Sequence, residues 1–490
     1  MSEYISGADR QQAWMLPETV EDYVSEDNPV RFIDAFVEGL DRRQVSCLEQ
    51  PAATGRPGYA PADLLKLYLY GYLNRVRSSR ELERLTQRNL EVIWLMRRLS
   101  PDHKTISEFR RAHRASFKEV FRQFNLLCRE LKLFGAELVA IDGSIFKAVN
   151  SKARNFTLDK LRGLLGVVDR GIENYLKELE LGDQPGESGA AGAGGTRERG
   201  AKDLAGKLEE LRGAKQRYEQ MLRQLEDSGQ TQISLTDPEA RLMKKSTSKD
   251  SVVGYNVQSV VDGAHHLIVE VEATQQGQDY GQLCRMGQQA QAMLQTQQLT
   301  VVADAGYGLL NDLKAAEEAG LRVHVPLPPD KMERAGFYGR EQFVYHQEQD
   351  TYECPGHQQL VRHADSRQDH KVYAVYYHTA ACARCALRAR CTSGAYRKIK
   401  RLEHPEVFAA IRQRLQASPE VFAQRKALVE HPFGTLKFWR GQGAFLTRGC
   451  AAVNAEISLS ALAYNITRAI KVLGVRALLA CARQLRPCLA

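Results

Sequence analysis

Two short segments constrain the fold more than anything else in this chain. Residues 138–143 read LVAIDG and residues 301–306 read VVADAG. Each is a brief run of small or β-branched apolar residues that ends in an aspartate followed by a glycine-containing loop. Runs this short, closed by glycine, read as buried strands rather than helices. A lone aspartate in such a place is more often a turn or cap residue. Two in the same setting, Asp142 and Asp304, predict a shared site, because polar groups at the strand ends of an α/β sheet converge where ligands bind.

The surrounding sequence has helical and strand patterns in blocks. Residues 58–134 read as consecutive helices. Pro61 suits a first turn, and Ser78 and Thr105 each stand three residues before a glutamate, as in a capping box. Arginines crowd this region (75, 77, 80, 84, 88, 97, 98, 110, 111 and 114), so it can lay basic faces along phosphates or simply solvate its helices. Residues 158–181 and 201–227 predict a charged helical hairpin, whose glycine-rich joint at 182–200 reads as a flexible tip. Residues 254–274 predict two strands about a turn at Asp262-Gly263, and further strands are expected within LTVVADAGYG (299–308) and at 321–327. Residues 330–400 read as irregular, and 402–490 as mainly helical. The fold class expected is α/β, a mixed sheet carrying long insertions.

Composition excludes some functions. With 43% hydrophobic and 26% charged residues, the 490-residue chain is neither disordered nor a membrane protein, and no apolar run approaches the ~18 residues that span a bilayer. The first residues lack a signal-peptide pattern, so a cytoplasmic protein is expected. Lys and Arg exceed Asp and Glu by 68 to 59, a balance that permits a polyanionic partner.

A third acid lies in QRKALVEHPFGTLKFWRG, residues 424–441. Helical spacing sets Arg425 or Lys426 within a turn of Glu430, which on spacing alone reads as a surface ion pair, while Pro432 and Gly434 interrupt the pattern before Lys437. Three carboxylates that meet would hold Mg2+ or Mn2+, hard cations with oxygen ligands. A pair of such ions serves in-line phosphoryl transfer.

The segments IDGSIFKAVNSK, VVADAGYG and VEHPFGTLKFWRGQGAFLTRG, in this order, resemble the DDE transposases of bacterial insertion sequences. The nearest pattern is the branch with a helical N-terminal domain and a cysteine-bearing insertion before the last acid. DPEARLMKKS and GYNVQSVVD belong to the same resemblance. It implies an RNase H-like mixed-sheet core with an all-helical N-terminal domain and two insertions. The expected organisation is a DNA-binding domain at 1–134, core at 135–157 and 229–329, hairpin insertion at 158–228, cysteine-bearing insertion at 330–400, and a helical part at 401–490 completing the core. Carried over, Asp142, Asp304 and Glu430 form the metal-binding triad. Lys437, Lys426, Arg425 and Arg440 are DNA-contacting candidates. Related families carry Tyr and Arg where this chain has Ala423 and Lys426, a departure that bears on the upstream DNA contacts. The implied partners are double-stranded DNA, both terminal inverted repeats and target, and a second copy of the chain; the implied place is the nucleoid. Rivals are a nuclease that cuts without joining and a retired transposase that only binds DNA.

Of ten cysteines, Cys354, Cys382, Cys385 and Cys391 fall in the second insertion, two of them as C-x-x-C. They are candidate ligands of a structural zinc, set against unligated thiols. Cys47, Cys128, Cys284, Cys450, Cys481 and Cys488 read as buried small side chains.

Overall fold

The structure, a computed structural model, describes residues 19–41, 43–45, 58–150, 152–183, 194–244, 250–326, 331–368, 371–402 and 405–484. Helices come first: α1 (Pro29–Glu38), α2 (Pro61–Leu73), α3 (Ser79–Arg88), α4 (Leu90–Leu95), α5 (His103–Ala112) and α6 (Arg114–Glu130). Asn28 caps α1 by accepting from the Val30 amide at 2.9 Å, and prolines stand in the first turns of α1 and α2, where no donor is lost. Ser78 precedes α3 without a side-chain cap bond. The box expected at Thr105 is not formed; Asp102 caps α5 instead, accepting from the Thr105 amide at 2.7 Å, so that helix begins at His103.

The first sheet gathers strands from a long stretch of chain. β1 (Leu138–Lys147) leads, past β2 (Asn155–Thr157), to the hairpin α7 (Leu158–Asp183) and α8 (Gly194–Ser228). Residues 184–193 of the expected flexible tip lie outside the described residues. Then follow β3 (Gln232–Ser234), β4 (Arg241–Lys244), β5 (Ser251–Asp262), β6 (Ile268–Thr274), α9 (Leu283–Leu294), β7 (Leu299–Val302), α10 (Leu310–Glu318) and β8 (Leu321–His324). β1 pairs antiparallel with β5 and parallel with β7; β8 continues parallel from β7, and β6 and β4 both lie antiparallel on β5. The sheet is therefore mixed, half antiparallel and half parallel, with β1 at the junction.

β1 runs further than its apolar start suggests. It was expected to end at Ile141, but its pairing with β5 continues to Lys147, because Gly254 lets β5 approach: a Cβ there would lie 2.1 Å from the Phe146 carbonyl oxygen. Asp142 is thus inside a strand, just beyond Ala140, the last residue paired with β7.

Residues 330–400 are more regular than their sequence reads. After α11 (Lys331–Arg334), strands β9 (Val344–His346), β10 (Thr351–Glu353), β11 (Gln359–Gln368), β12 (Lys371–Tyr377) and β13 (Ile399–Leu402) make a five-stranded antiparallel sheet, with α12 (Thr379–Ala383) and α13 (Arg388–Cys391) before the last strand. Its core is Phe343, Tyr352, Leu360, Tyr376 and Ile399. Tyrosines build this core because their hydroxyls have a partner: Tyr345 and Tyr376 both donate to Asp350 Oδ1, at 2.8 and 2.5 Å.

The chain closes with α14 (Pro405–Ala417), α15 (Pro419–Gly434), a π-helical stretch Thr435–Trp439, α16 (Cys450–Leu473) and α17 (Val475–Gln484). α16 is buried through most of its length and joins the N-terminal helices to the sheet. It also protects a sheet edge. Asn465 bonds both the amide and the carbonyl of Ile268 in β6, at 2.9 and 2.7 Å, and Asn454 accepts from the Ala273 amide at 2.8 Å. Asparagine side chains so supply the partners that an edge strand lacks. No described helix is long and apolar enough to cross a membrane.

Candidate active site

α15 positions the site by the face it packs. Leu428 and Val429 bury against Ala140 of β1 and Val302 of β7, which lays the helix across the junction of the two parallel strands. One turn earlier, the Arg425 guanidinium falls above Asp142, within β1, and Asp304, just beyond β7. Its Nη2 is 3.2 Å from Asp142 Oδ1 and 3.6 Å from Asp304 Oδ2. The aspartates are thus brought together from different strands, and one cation bridges them. Asp304 stands two residues beyond β7 and accepts from the Gly306 amide at 2.8 Å, which fixes the turn. Burial pushes the Asp142 carboxyl up to about 6, against the lowering effect of Arg425 and with further raising by Asp304 and Asp279.

Glu430 is carried by the same helix, which runs unbroken through Pro432, contrary to the interruption expected there. Five residues of α-helix turn a side chain roughly 140° from Arg425 and move it about 7.5 Å along the axis. Glu430 is accordingly exposed, and among the described residues its carboxylate has no ion pair with Arg425 or Lys426. Lys426 is exposed as well. Lys437 turns toward β1: its Nζ donates to Ser144 Oγ at 2.5 Å and to the Ile145 carbonyl at 2.8 Å, and lies 4.6 Å from the centre of the Phe146 ring. Arg440 is committed inward, donating to the Tyr72 and Ala463 carbonyls and to Thr467 Oγ1.

The sequence reading missed Asp279. From the loop after β6 it accepts from Asn256 Nδ2 at 2.8 Å and Gln258 Nε2 at 2.6 Å, and the Tyr307 hydroxyl donates to Gln258 Oε1 at 2.5 Å. This network lies against Gly143, where a Cβ would stand 2.2 Å from Asp279 Oδ1 and 2.4 Å from Gln258 Nε2. The glycine after Asp142 is therefore a space for a neighbouring carboxylate, a reason the local sequence cannot display. Gly143→Ala is expected to lower unfolding stability by about 1–3 kcal/mol through overpacking. Urea titration checks this, and an unchanged midpoint refutes the crowding argument.

Oxygen donors on rigid strands suit a hard divalent cation, and Arg425 already shows that the Asp142–Asp304 pair accepts positive charge. Among the described residues, no group of three or more His, Cys, Asp or Glu side chains stands arranged to hold a metal ion. That bears on the cysteines also. Cys354, Cys382, Cys385 and Cys391 line one cavity in residues 330–400, yet the zinc expectation gains no support, and a tyrosine-rich core supplies apolar burial there. Of the other cysteines, Cys128 is buried, Cys284, Cys450 and Cys481 are half-buried, and Cys47 and Cys488 lie outside the described residues.

Comparison with known families agrees with this geometry. Residues 18–112 match the Transposase domain (DUF772), and residues 227–466 match the Transposase DDE domain. The chain is a DDE transposase, of the kind encoded by insertion sequences, and so a DNA-cleaving and DNA-transferring enzyme. No curated protein matches it. Among solved structures, a cryo-EM structure of a piggyBac transposase synaptic complex with hairpin DNA aligns over 95% of this chain and 80% of that one, at a TM-score of 0.32 and 8% identity, a likeness that carries no weight here.

Proposed function

We propose that this transposase cleaves the ends of its element and joins them to target DNA at one centre, with Asp142, Asp304 and Glu430 as the acids that hold divalent cations. The observation that carries the reading is the meeting of Asp142 and Asp304, from two strands, on the single guanidinium of Arg425. The strand order β6-β5-β1-β7-β8, three antiparallel and then two parallel, supports an RNase H-like core. Glu430 is assigned to the triad because it stands on the helix that carries Arg425, in the segment VEHPFGTLK whose resemblance to the family's last acid motif implies that role.

Bound Mg2+ or Mn2+ would lower the pKa of the attacking water and stabilise the leaving oxygen. The protein's own residues do the rest. Asp142 and Asp304 fix the anionic floor, and Arg425 neutralises them and then turns to phosphate as the acids are otherwise satisfied. Lys426 and Lys437 position the strand from the same helix and its extension. Water breaks the phosphodiester at the element end and leaves a 3′-hydroxyl; that hydroxyl attacks a target phosphodiester, forming one P–O bond as another breaks.

Residues 1–134 are assigned to binding DNA. Arg77, Arg84, Arg97 and Arg111 there are ion-paired within the chain, which leaves exposed Arg75, Arg80, Arg88 and Arg98 for phosphates. The hairpin at 158–228 and the insertion at 330–400 leave the core as additions. Two ends held together call for two copies of the chain, working on the nucleoid in the cytoplasm. The test is a supercoiled plasmid carrying both element ends, incubated with Mg2+ or Mn2+. Joined products are expected, and cutting without any joined product would leave a nuclease instead.

A further inference from the structure

A cleft of about 420 Å3 opens beside the Glu430 end of α15, and its charge is one-sided. Arg75, Arg440, Arg468 and Lys471 line it together with His431, and no acidic side chain does. The cations are held by neutral groups: Arg468 donates to the His265 carbonyl at 2.8 Å, and Arg440 to carbonyls and a hydroxyl. Among the described residues, neither Arg75 nor Lys471 has an ion pair. The crowding is felt within the cleft. Burial and the nearby Arg75 push Arg440 down to about 10, and burial, Arg468, His266 and Lys471 hold His431 below its ordinary value. So much uncompensated positive charge is costly unless an anion shares the cleft.

The rim carries a second signal. Trp439 lines the cleft at 73% exposure, and its neighbour Phe438 is 83% exposed. Both ride on the π-helical stretch that continues α15, a conformation found often at functional sites. Two large aromatic faces left in water next to a basic cleft match the way single strands are held, with cations along the backbone and rings against bases. The geometry points to this cleft as the seat of the DNA strand flanking the cut, its phosphates between Arg75 and Lys471 and an unpaired base stacked on Trp439. The inference rests on the reading that DNA is worked on beside α15.

The test uses the full chain without divalent cations, so that no cutting occurs, and a short duplex bearing a single-stranded extension with 2-aminopurine, against a blunt duplex of equal length. The extension is expected to tighten binding by at least about fivefold, with quenching of 2-aminopurine, since one stacked base contributes roughly 1–3 kcal/mol. Trp439→Ala should remove both the preference and the quenching, while the salt dependence stays. Lys471→Ala with Arg75→Gln should keep the quenching but weaken the preference, and reduce the slope of log affinity against log salt for the extended duplex by roughly one per cation. Full preference in Trp439→Ala, or an unchanged slope in the double variant with an unaltered melting temperature, overturns the assignment. Neither result touches the acid centre, whose failure would appear as absent cleavage with this binding intact.

Discussion

Asp142→Asn is expected to reduce DNA cleavage by about a thousandfold or more, which is roughly 4 kcal/mol of barrier. The substitution keeps the shape of a half-buried side chain, so the loss is one of charge. Among the described residues it leaves Arg425 with only Asp304 as an ion-pair partner, 3.6 Å away, and removes the anion that β1 contributes to the centre. DNA binding at low salt should persist, and even strengthen slightly, as the site becomes more positive. Asp304→Asn and Glu430→Gln should show the same split between lost cutting and retained binding. Gel assays of cleavage and of binding, run on the same preparations, decide it. A variant that cuts within about tenfold of the parent, a change worth only about 1.4 kcal/mol, removes that acid from the centre.

The second large effect concerns Glu456, a fully buried carboxylate of α16. It accepts from the amides of Leu446 and Thr447, at 3.0 and 3.1 Å, from Thr447 Oγ1 at 2.8 Å, and from Arg77 at 2.9 Å. Arg77 also donates to the Ala444 carbonyl at 3.0 Å. The loop so held lies along the end of β1: the Lys147 amide donates to Gly443 at 3.1 Å, and the Phe445 amide to Lys147 at 2.8 Å. One carboxylate thereby ties the N-terminal helices, α16 and the loop after Trp439 to the strand that bears Asp142. Glu456→Ala takes from Arg77 its counter-ion, leaving it carbonyls such as that of Ala444, and removes the acceptor of the Leu446 and Thr447 amides; removing one member of a buried pair costs about 3–5 kcal/mol. Glu456→Gln, which still accepts hydrogen bonds, should lose less. Denaturant unfolding measures both; a loss under about 1 kcal/mol for the alanine variant would show that the network is solvated or redundant.

The outline of the site was visible in sequence for a local reason. Asp142 and Asp304 each follow apolar runs whose length and β-branching specify a buried strand, and a carboxylate directly after such a run is conspicuous. Asp279 was invisible, because it sits in a polar loop, GQDYG, and its importance comes from Gly143, 136 positions away in the chain, which makes room for it. Arg425 was visible as a basic residue near Glu430, and spacing alone paired the two. The structure pairs it with acids 283 and 121 positions earlier instead, since burial of Leu428 and Val429 fixes which way the helix faces. Arg440 looked like a DNA contact by charge, and its commitment to carbonyls of α2 and α16 could be seen only once those helices had met.

Residues 330–400 show the same limit from another side. Their cysteines drew attention to metal, whereas the sheet there is held by tyrosines whose partner, Asp350, reads in sequence as an ordinary turn residue.

Periodicity and residue chemistry along the chain determined most helices, the buried starts of β1 and β7, and that an acid directly follows each apolar run, because backbone preference and local burial act over a few residues. Only the tertiary structure decided which acid faces which cation, where glycine was needed for clearance, and that four cations surround one cleft. Those outcomes depend on distances between segments hundreds of residues apart, set by how the faces of α15 and α16 pack on the sheet, and no local pattern encodes such a distance.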